Sequence, residues 1–113
     1  MNNLRYFREI SGVSPKQIAR LINVTVHTYI AFELGRMTIS NDVIKMIAKI
    51  YNIESNQIFC GRDEISSCTI EVLESLSEFK DDKLSEVLVS NLTDGKMTSI
   101  RGREIRMIKS KMK

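Results

Sequence analysis

The sequence is short of the residues that build most metal and catalytic sites. Its 113 residues include one histidine, two cysteines and no tryptophan. Cys60 and Cys68 lack the C-x-x-C spacing and His27 is far away in sequence, so we expect no zinc site. The sequence also has no glycine-rich phosphate loop, no paired catalytic carboxylates and no nucleophile with a neighbouring base. We therefore expect neither an enzyme nor a bound cofactor.

Long apolar runs are also missing. No segment stays apolar for the length that a bilayer span needs, and the first residues lead into an amphipathic pattern instead of a signal peptide. A hydrophobic content of 42% and a charged content of 27% are ordinary globular values. We expect a cytoplasmic protein with no membrane partner, in which both cysteines are free thiols.

Charge divides the chain into three blocks. The net charge is +3 over residues 1–60, −6 over residues 61–95 and +6 over residues 96–113. Such asymmetry marks boundaries between units of different function. We therefore expect a mildly basic head, an acidic middle and a basic tail.

Residues 14–36 have the pattern of two short helices joined by a tight turn. Ser14 before Pro15 is a favourable helix start, because the hydroxyl accepts from free N–H groups and proline suits the first helical position. Asn23 lies at the bend, where a left-handed backbone is expected, and Thr25 is a candidate cap for the second helix. The pattern predicts a helix–turn–helix unit.

This unit resembles the helix-turn-helix of lambda-repressor/Cro-type DNA-binding domains, over about residues 4–59. The family begins its helix 2 with Ser-Gln, where this chain has Ser-Pro at 14–15. The family turn Gly-Val-Ser corresponds to Asn-Val-Thr at 23–25, and the ending Tyr-Glu-x-Gly to Phe-Glu-Leu-Gly at 32–35. The resemblance implies an all-α protein: a five-helix lambda-repressor-like DNA-binding domain over residues 1–60, followed by a small helical C-terminal extension.

The resemblance also assigns the residues that face DNA. Relatives contact base edges mostly with Arg, Gln, Asn, Ser or Lys, whereas aliphatic side chains offer only apolar contact, chiefly to thymine methyls. This surface is therefore either a reader of thymine-rich sites or a surface for another protein. The residues expected at base edges are Val26, His27, Thr28, Ile30 and Ala31.

Phosphate contacts are expected from residues at helix starts and flanks, because N–H groups and cations meet the DNA backbone there. These residues are Lys16, Gln17, Thr25 and Arg36. Glu33 is expected to be structural and to pair with Arg8 or Arg20.

The implied function is a sequence-specific transcriptional regulator, a dimeric repressor whose partner is double-stranded DNA. The alternative is a protein-interaction module, such as an antirepressor or adaptor, that keeps the fold without binding DNA. A regulatory protein is the expected source of any input signal.

The remaining two blocks predict further helices. Residues 61–95 carry apolar stripes that indicate an acidic helical hairpin, which either forms a dimer interface or lengthens the core of the monomer. One stripe ends at Phe79, and the next helix is expected to stop at Gly95. Residues 96–113 form a basic tail or helix that could contact DNA phosphates, neutralise the hairpin or lie in solvent.

Overall fold

The computed structural model describes residues 2–94. Over that range the chain is helical and contains no strand, which confirms the all-α prediction. The expected stop at Gly95 and the basic segment 96–113 lie outside the described residues. The α-helices are α1 (Leu4–Ser11), α2 (Pro15–Leu21), α3 (Val26–Glu33), α4 (Asn41–Tyr51), α5 (Ser67–Leu76) and α6 (Asp81–Asp94), and 3-10 turns occur at Ser55–Ile58 and Arg62–Glu64.

Side-chain caps determine where four of these helices begin. In each case a hydroxyl before the helix accepts from a backbone N–H of the first turn, which satisfies a donor that the helix itself leaves free. The caps of α2, α3, α4 and α5 are Ser14, Thr25, Ser40 and Ser66.

Residues with a left-handed backbone conformation separate the helices of the head. Asn23 adopts a φ of 62° at the bend between α2 and α3, as the sequence predicts, and Asn52 ends α4 with a φ of 61°. Gly12 and Gly35 follow α1 and α3 with φ values of 81° and 75°. Asparagine and glycine tolerate this backbone conformation better than other residues, so these four positions set the direction of the chain.

One hydrophobic core extends from the head into the hairpin. Leu73 of α5 and Leu84 and Leu88 of α6 are buried in the same cluster as Phe7 and Tyr51. Helix α5 packs against α1, and α6 packs against α4. The hairpin therefore buries its apolar stripes on its own chain, as the core-lengthening alternative requires, and its role in dimerisation stays a prediction.

The apolar pattern was wrong at the end of α5. The helix ends at Leu76, and Phe79 lies in the following turn with its side chain exposed. Consecutive i→i+3 hydrogen bonds to the carbonyls of Glu74, Ser75 and Leu76 tighten this end of the helix, so the chain leaves the apolar face before residue 79.

Cys60 and Cys68 are free thiols. Among the helices of residues 2–94, none combines the length and the apolar content that crossing a membrane requires.

Candidate nucleic-acid interface

Helix α3 carries the residues expected at base edges, and its start is held by a threonine pair. The Thr25 hydroxyl oxygen accepts from the backbone N–H of Thr28 at 3.2 Å and lies 3.1 Å from the Thr28 hydroxyl. Within this cap the Thr25 hydroxyl donates to the Thr28 hydroxyl oxygen. Thr25 remains exposed, whereas Thr28 is half-buried.

The inner face of α3 fixes its orientation. Tyr29 and Phe32 are buried, and Ala19 of α2 is buried in the same cluster. The small side chain of Ala19 lets α2 and α3 approach closely at the bend. Because the inner face is buried in the core, the orientation of the outer face of α3 is fixed.

A buried polar cluster holds the end of α3. Glu33 pairs with Arg8 of α1, which confirms one of the two partners predicted for it. The hydrogen bond that the Arg8 guanidinium donates to Glu33 raises the pKa of Arg8. Burial raises the pKa of the hydroxyls of Tyr29 and Tyr51, which lie close to this pair. The Arg8–Glu33 pair therefore lies beside two buried phenols, inside a mostly apolar core.

The outer face of α3 forms a shallow depression of about 280 Å³. Five of the predicted site residues line it together with one residue that the sequence analysis did not assign, Leu34. His27 and Arg36 are exposed, whereas Val26, Ile30 and Ala31 are half-buried. Within residues 2–94 the lining is Val26, His27, Ile30, Ala31, Leu34 and Arg36.

Arg36 reaches this depression because the chain turns back after α3. Gly35 donates to the Phe32 carbonyl at 3.1 Å, and the backbone N–H of Arg36 donates to the Ala31 carbonyl at 2.9 Å. The left-handed Gly35 makes this turn, which satisfies carbonyls that α3 would otherwise leave free. Arg36 thus lies at the rim of the depression.

Lys16 and Gln17 lie in a second depression, of about 200 Å³, between α2 and α6. Lys16 is exposed, but the amide of Gln17 is held by its own chain. Its Oε1 accepts from the Ser14 backbone N–H at 2.9 Å, and its Nε2 donates to Ser85 Oγ at 2.9 Å and to the Asp81 carbonyl at 3.5 Å. Gln17 therefore joins the start of α2 to α6, and a phosphate contact from it stays a prediction.

Leu34 and Ser85 differ in how well the sequence alone predicts their place at these two depressions. Leu34 is eight residues after Val26 and four after Ile30, so helical spacing alone places it on the same face. Ser85 has no such signal, because its contact with Gln17 joins residues 68 positions apart in sequence. Only the packing of α6 on the head brings these two side chains together.

The two depressions offer different chemistry. The face of α3 presents aliphatic carbon with one imidazole and one guanidinium, while the α2 surface presents the exposed cations Lys16 and Arg20. Among the described residues, no carboxylate lines either depression. Aliphatic groups suit apolar contacts, and cations suit phosphates.

Comparison with known families gives one finding for this segment. A family model described as helix-turn-helix matches residues 4–58, just under half of the chain. The matched range runs from α1 to the first 3-10 turn and includes α3. Searches of curated proteins and of solved structures find no match.

Proposed function

Because residues 4–58 belong to the lambda-repressor/Cro-type helix-turn-helix family, we propose that this protein is a sequence-specific DNA-binding repressor that acts as a dimer. The family is one of DNA-binding regulatory domains, so the protein is a DNA-binding transcriptional regulator in general terms. Sequence specificity, repression and dimerisation are the proposed part.

The observation that carries the proposal is the composition of one face of α3. In domains of this type the second helix of the motif enters the major groove with its N-terminal residues at base edges. Val26, His27, Ile30 and Ala31 share a single depression on that helix, with the cation Arg36 at its rim. A face assembled from these side chains can contact bases while Arg36 contacts the DNA backbone.

Cations on a neighbouring element support the same function. Lys16 and Arg20 of α2 are exposed, and together with Arg36 they give the α2–α3 surface a positive charge. Glu33, the acidic residue nearest in sequence to Arg36, is buried in its pair with Arg8. A surface of this charge attracts phosphates without distinguishing sequences, so base contacts by α3 must supply the specificity.

Dimeric binding follows from the way such domains recognise operators. A symmetric pair places two second helices in successive major grooves, and the operator mirrors this symmetry. We propose that the dimer represses transcription by occupying a promoter. The acidic segment 61–95 is the proposed dimerisation element, through surfaces of α5 and α6 that face away from the core.

A second function has a specific observation in its favour. Leu34 and Met37, at the end of α3 and just after it, are 50% and 48% exposed. Exposed apolar residues beside an already apolar face are typical of protein interfaces. The alternative function is therefore a protein-interaction module, an antirepressor or adaptor, that keeps the fold without binding DNA.

The test is a selection from a pool of genomic duplex fragments with the purified full chain at near-physiological salt. We expect the retained fragments to share a two-fold symmetric site and the binding stoichiometry to be two chains per site. Binding should weaken steeply as salt increases, because phosphate contacts release counterions. If a folded protein retains no fragment above background, the DNA-binding proposal is overturned and the interaction module takes its place.

A further inference from the structure

Two depressions beside α6 join into one furrow. The first is the depression of about 200 Å³ between α2 and α6, and the second, of about 490 Å³, lies along α6. Ser85 and Val89 line both of them, so the two are continuous. We call this surface the α2–α6 furrow. Its walls include Lys16, Arg20 and Leu21 of α2 and Ser85, Glu86 and Val89 of α6.

The centre of the furrow is apolar and accessible to a partner. Val89 is 44% exposed, whereas its neighbour Leu88 is fully buried. Leu21, in the same depression, is half-buried and packs against the core. Covering an exposed aliphatic side chain removes apolar surface from water, which stabilises a complex. The furrow therefore favours an occupant with aliphatic side chains of its own.

Two cations lie on the α2 side of this apolar centre. Lys16 and Arg20 are exposed and one helical turn apart, which is about 6 Å along α2. Neither forms an ion pair with another residue of the described range 2–94. Glu86, on the α6 side, already pairs with Lys83 at 3.5 Å. The α2 wall thus complements two carboxylates that are one helical turn apart.

We propose that the α2–α6 furrow binds an acidic helical segment of a regulatory partner protein. Aliphatic side chains of this segment cover Val89 and Leu21, and two of its carboxylates pair with Lys16 and Arg20. One consequence rests on the proposed DNA-binding function, in which Lys16 contacts a phosphate. Because the segment and DNA both need Lys16, binding of the partner releases the protein from DNA.

The surroundings of the furrow favour a protein segment over a nucleic-acid strand. A phosphate backbone pairs with cations but offers no aliphatic group that covers Val89. The acidic start of α6 is also close, since the Asp81 carbonyl accepts from Gln17 of α2 at 3.5 Å and the side chains of residues 81 and 82 are exposed. A helix can direct its carboxylates towards α2 alone, whereas a phosphate backbone meets repulsion from these carboxylates.

Both walls of the furrow are fixed to the rest of the molecule. Gln17 Nε2 donates to Ser85 Oγ at 2.9 Å, which joins α2 to α6, and Asn91 of α6 donates to the Ile50 carbonyl of α4 at 3.0 Å. A preformed surface costs little conformational entropy when it binds a partner. Helix α6 lies outside the matched range 4–58, so the furrow is a feature that this chain adds to the helix-turn-helix.

The experiment selects peptides on the purified full chain. The probe is a phage-displayed library of helical peptides of about four turns, with every outward position randomised. We expect the enriched peptides to share two carboxylates one turn apart, next to aliphatic residues. Their Kd for the full chain is measured by fluorescence anisotropy at near-physiological salt. Enrichment of no peptide, or of peptides without carboxylates, would overturn the inference.

Charge reversal assigns the binding to the furrow. The double variant Lys16→Glu/Arg20→Glu should weaken binding of the enriched peptide about tenfold, because two ion pairs become repulsive. The matched control is Lys45→Glu/Lys49→Glu, which reverses two exposed cations at the same spacing on α4 and should keep the parent Kd. Equal losses in the two double variants would overturn the inference, because the attraction would then come from net charge alone.

A second pair of variants tests the apolar centre. Val89→Ala should weaken peptide binding about fivefold, because it removes aliphatic surface that the segment covers. Met37→Ala removes a similarly exposed apolar side chain outside the furrow and should leave the Kd unchanged. If Val89→Ala instead weakens the binding of duplex DNA and not of peptide, DNA is the occupant and the inference is overturned.

Competition separates this inference from the function on which its consequence rests. The enriched peptide is added to the full chain bound to a fluorescent duplex from the genomic selection, and we expect it to release the duplex. Peptide bound at the furrow without release of the duplex would overturn the proposed regulation. If the folded chain binds no duplex but still binds the peptide at Lys16 and Arg20, the DNA-binding proposal fails and the docking surface stands.

Discussion

The guanidinium of Arg8 makes a two-point contact with the carboxylate of Glu33. Arg8 Nε donates to Oε2 at 2.5 Å, and Nη2 donates to Oε1 at 3.2 Å. The side chains are only 16% and 4% exposed, so the pair is shielded from solvent. Because Arg8 lies on α1 and Glu33 ends α3, the pair fixes the end of the helix that carries the proposed base-contacting residues.

Breaking this pair should destabilise the protein. Arg8→Met leaves the Glu33 carboxylate buried without its partner, and we expect the free energy of unfolding to fall by about 3 kcal/mol. The double variant Arg8→Met/Glu33→Leu should lose less, because no buried charge remains. Urea unfolding measures both values.

An exposed ion pair on the same helix provides the control. Arg5 and Glu9 are 71% and 58% exposed, so Arg5→Met should change the free energy of unfolding by less than about 0.5 kcal/mol. Equal losses for Arg5→Met and Arg8→Met would contradict the structural role assigned to the buried pair.

Alkaline pH should also destabilise the fold, through the buried phenols. Burial raises the pKa of Tyr29 and Tyr51 above that of an unfolded chain, which is about 10. The folded state therefore retains these protons more tightly, and their contribution to stability is complete below about pH 10. Above that pH it should fall by up to about 1.4 kcal/mol per pH unit for each tyrosine.

The Tyr29→Phe variant isolates this effect. Its free energy of unfolding should decrease less between pH 10 and 11.5 than that of the parent protein, as measured by urea unfolding at each pH. Tyr6→Phe, at a half-buried position, is the control and should keep the parent slope. Identical slopes for all three proteins would refute the assignment to Tyr29.

The contact between Gln17 and Ser85 should stabilise the docking of α6 on α2. We expect Ser85→Ala to lower the free energy of unfolding by about 1 kcal/mol, the usual value of one hydrogen bond. Gln17→Ala should cost more, because it also removes the capping interaction with Ser14. The two losses should not add in the double variant, since both variants remove the same bond. Lys83→Ala, at an exposed position of α6, is the control and should have little effect on the free energy of unfolding. If the losses of Ser85→Ala and Gln17→Ala add in the double variant, the bond between these two side chains contributes nothing.

Lys16 and Arg36 should contribute to DNA affinity in a way that depends on salt. If each contacts one phosphate, replacing either with alanine should reduce the slope of log K against log salt by about 1. The affinity loss should be similar for different duplex sequences. Lys49→Ala removes an exposed cation on α4 that is not among the proposed phosphate contacts, so it is the control and should leave this slope unchanged. An unchanged slope for Lys16→Ala or Arg36→Ala would remove that residue from the proposed phosphate contacts.

The head of the molecule could be predicted from sequence because its signals are local. Ser14 and Thr25 cap the starts of helices, Asn23 forms the bend between α2 and α3, and helical spacing separates inner from outer positions. These features depend on residues three or four apart, so a single sequence contains them.

Contacts between distant residues could not be predicted. Charge pattern indicated a separate acidic hairpin, whereas Leu84 and Leu88 share the core of the head. An apolar stripe in the sequence predicts that a helix face is buried, but not which surface covers it. A dimer interface and a longer monomer core therefore require the same stripe. Ser85 illustrates the same limit at the candidate site, since no local pattern links it to Gln17.

The most direct test of the proposed interface is the DNA affinity of the double variant His27→Ala/Ile30→Ala. Its Kd for the duplex enriched in the selection is compared with that of the parent protein at one salt concentration. Circular dichroism and urea unfolding establish that the variant is folded. We predict that binding to this duplex falls towards the level of an unrelated sequence, because two of the proposed base contacts of α3 are lost while the phosphate contacts remain. An unchanged Kd in a folded variant would contradict the assignment of this face to DNA.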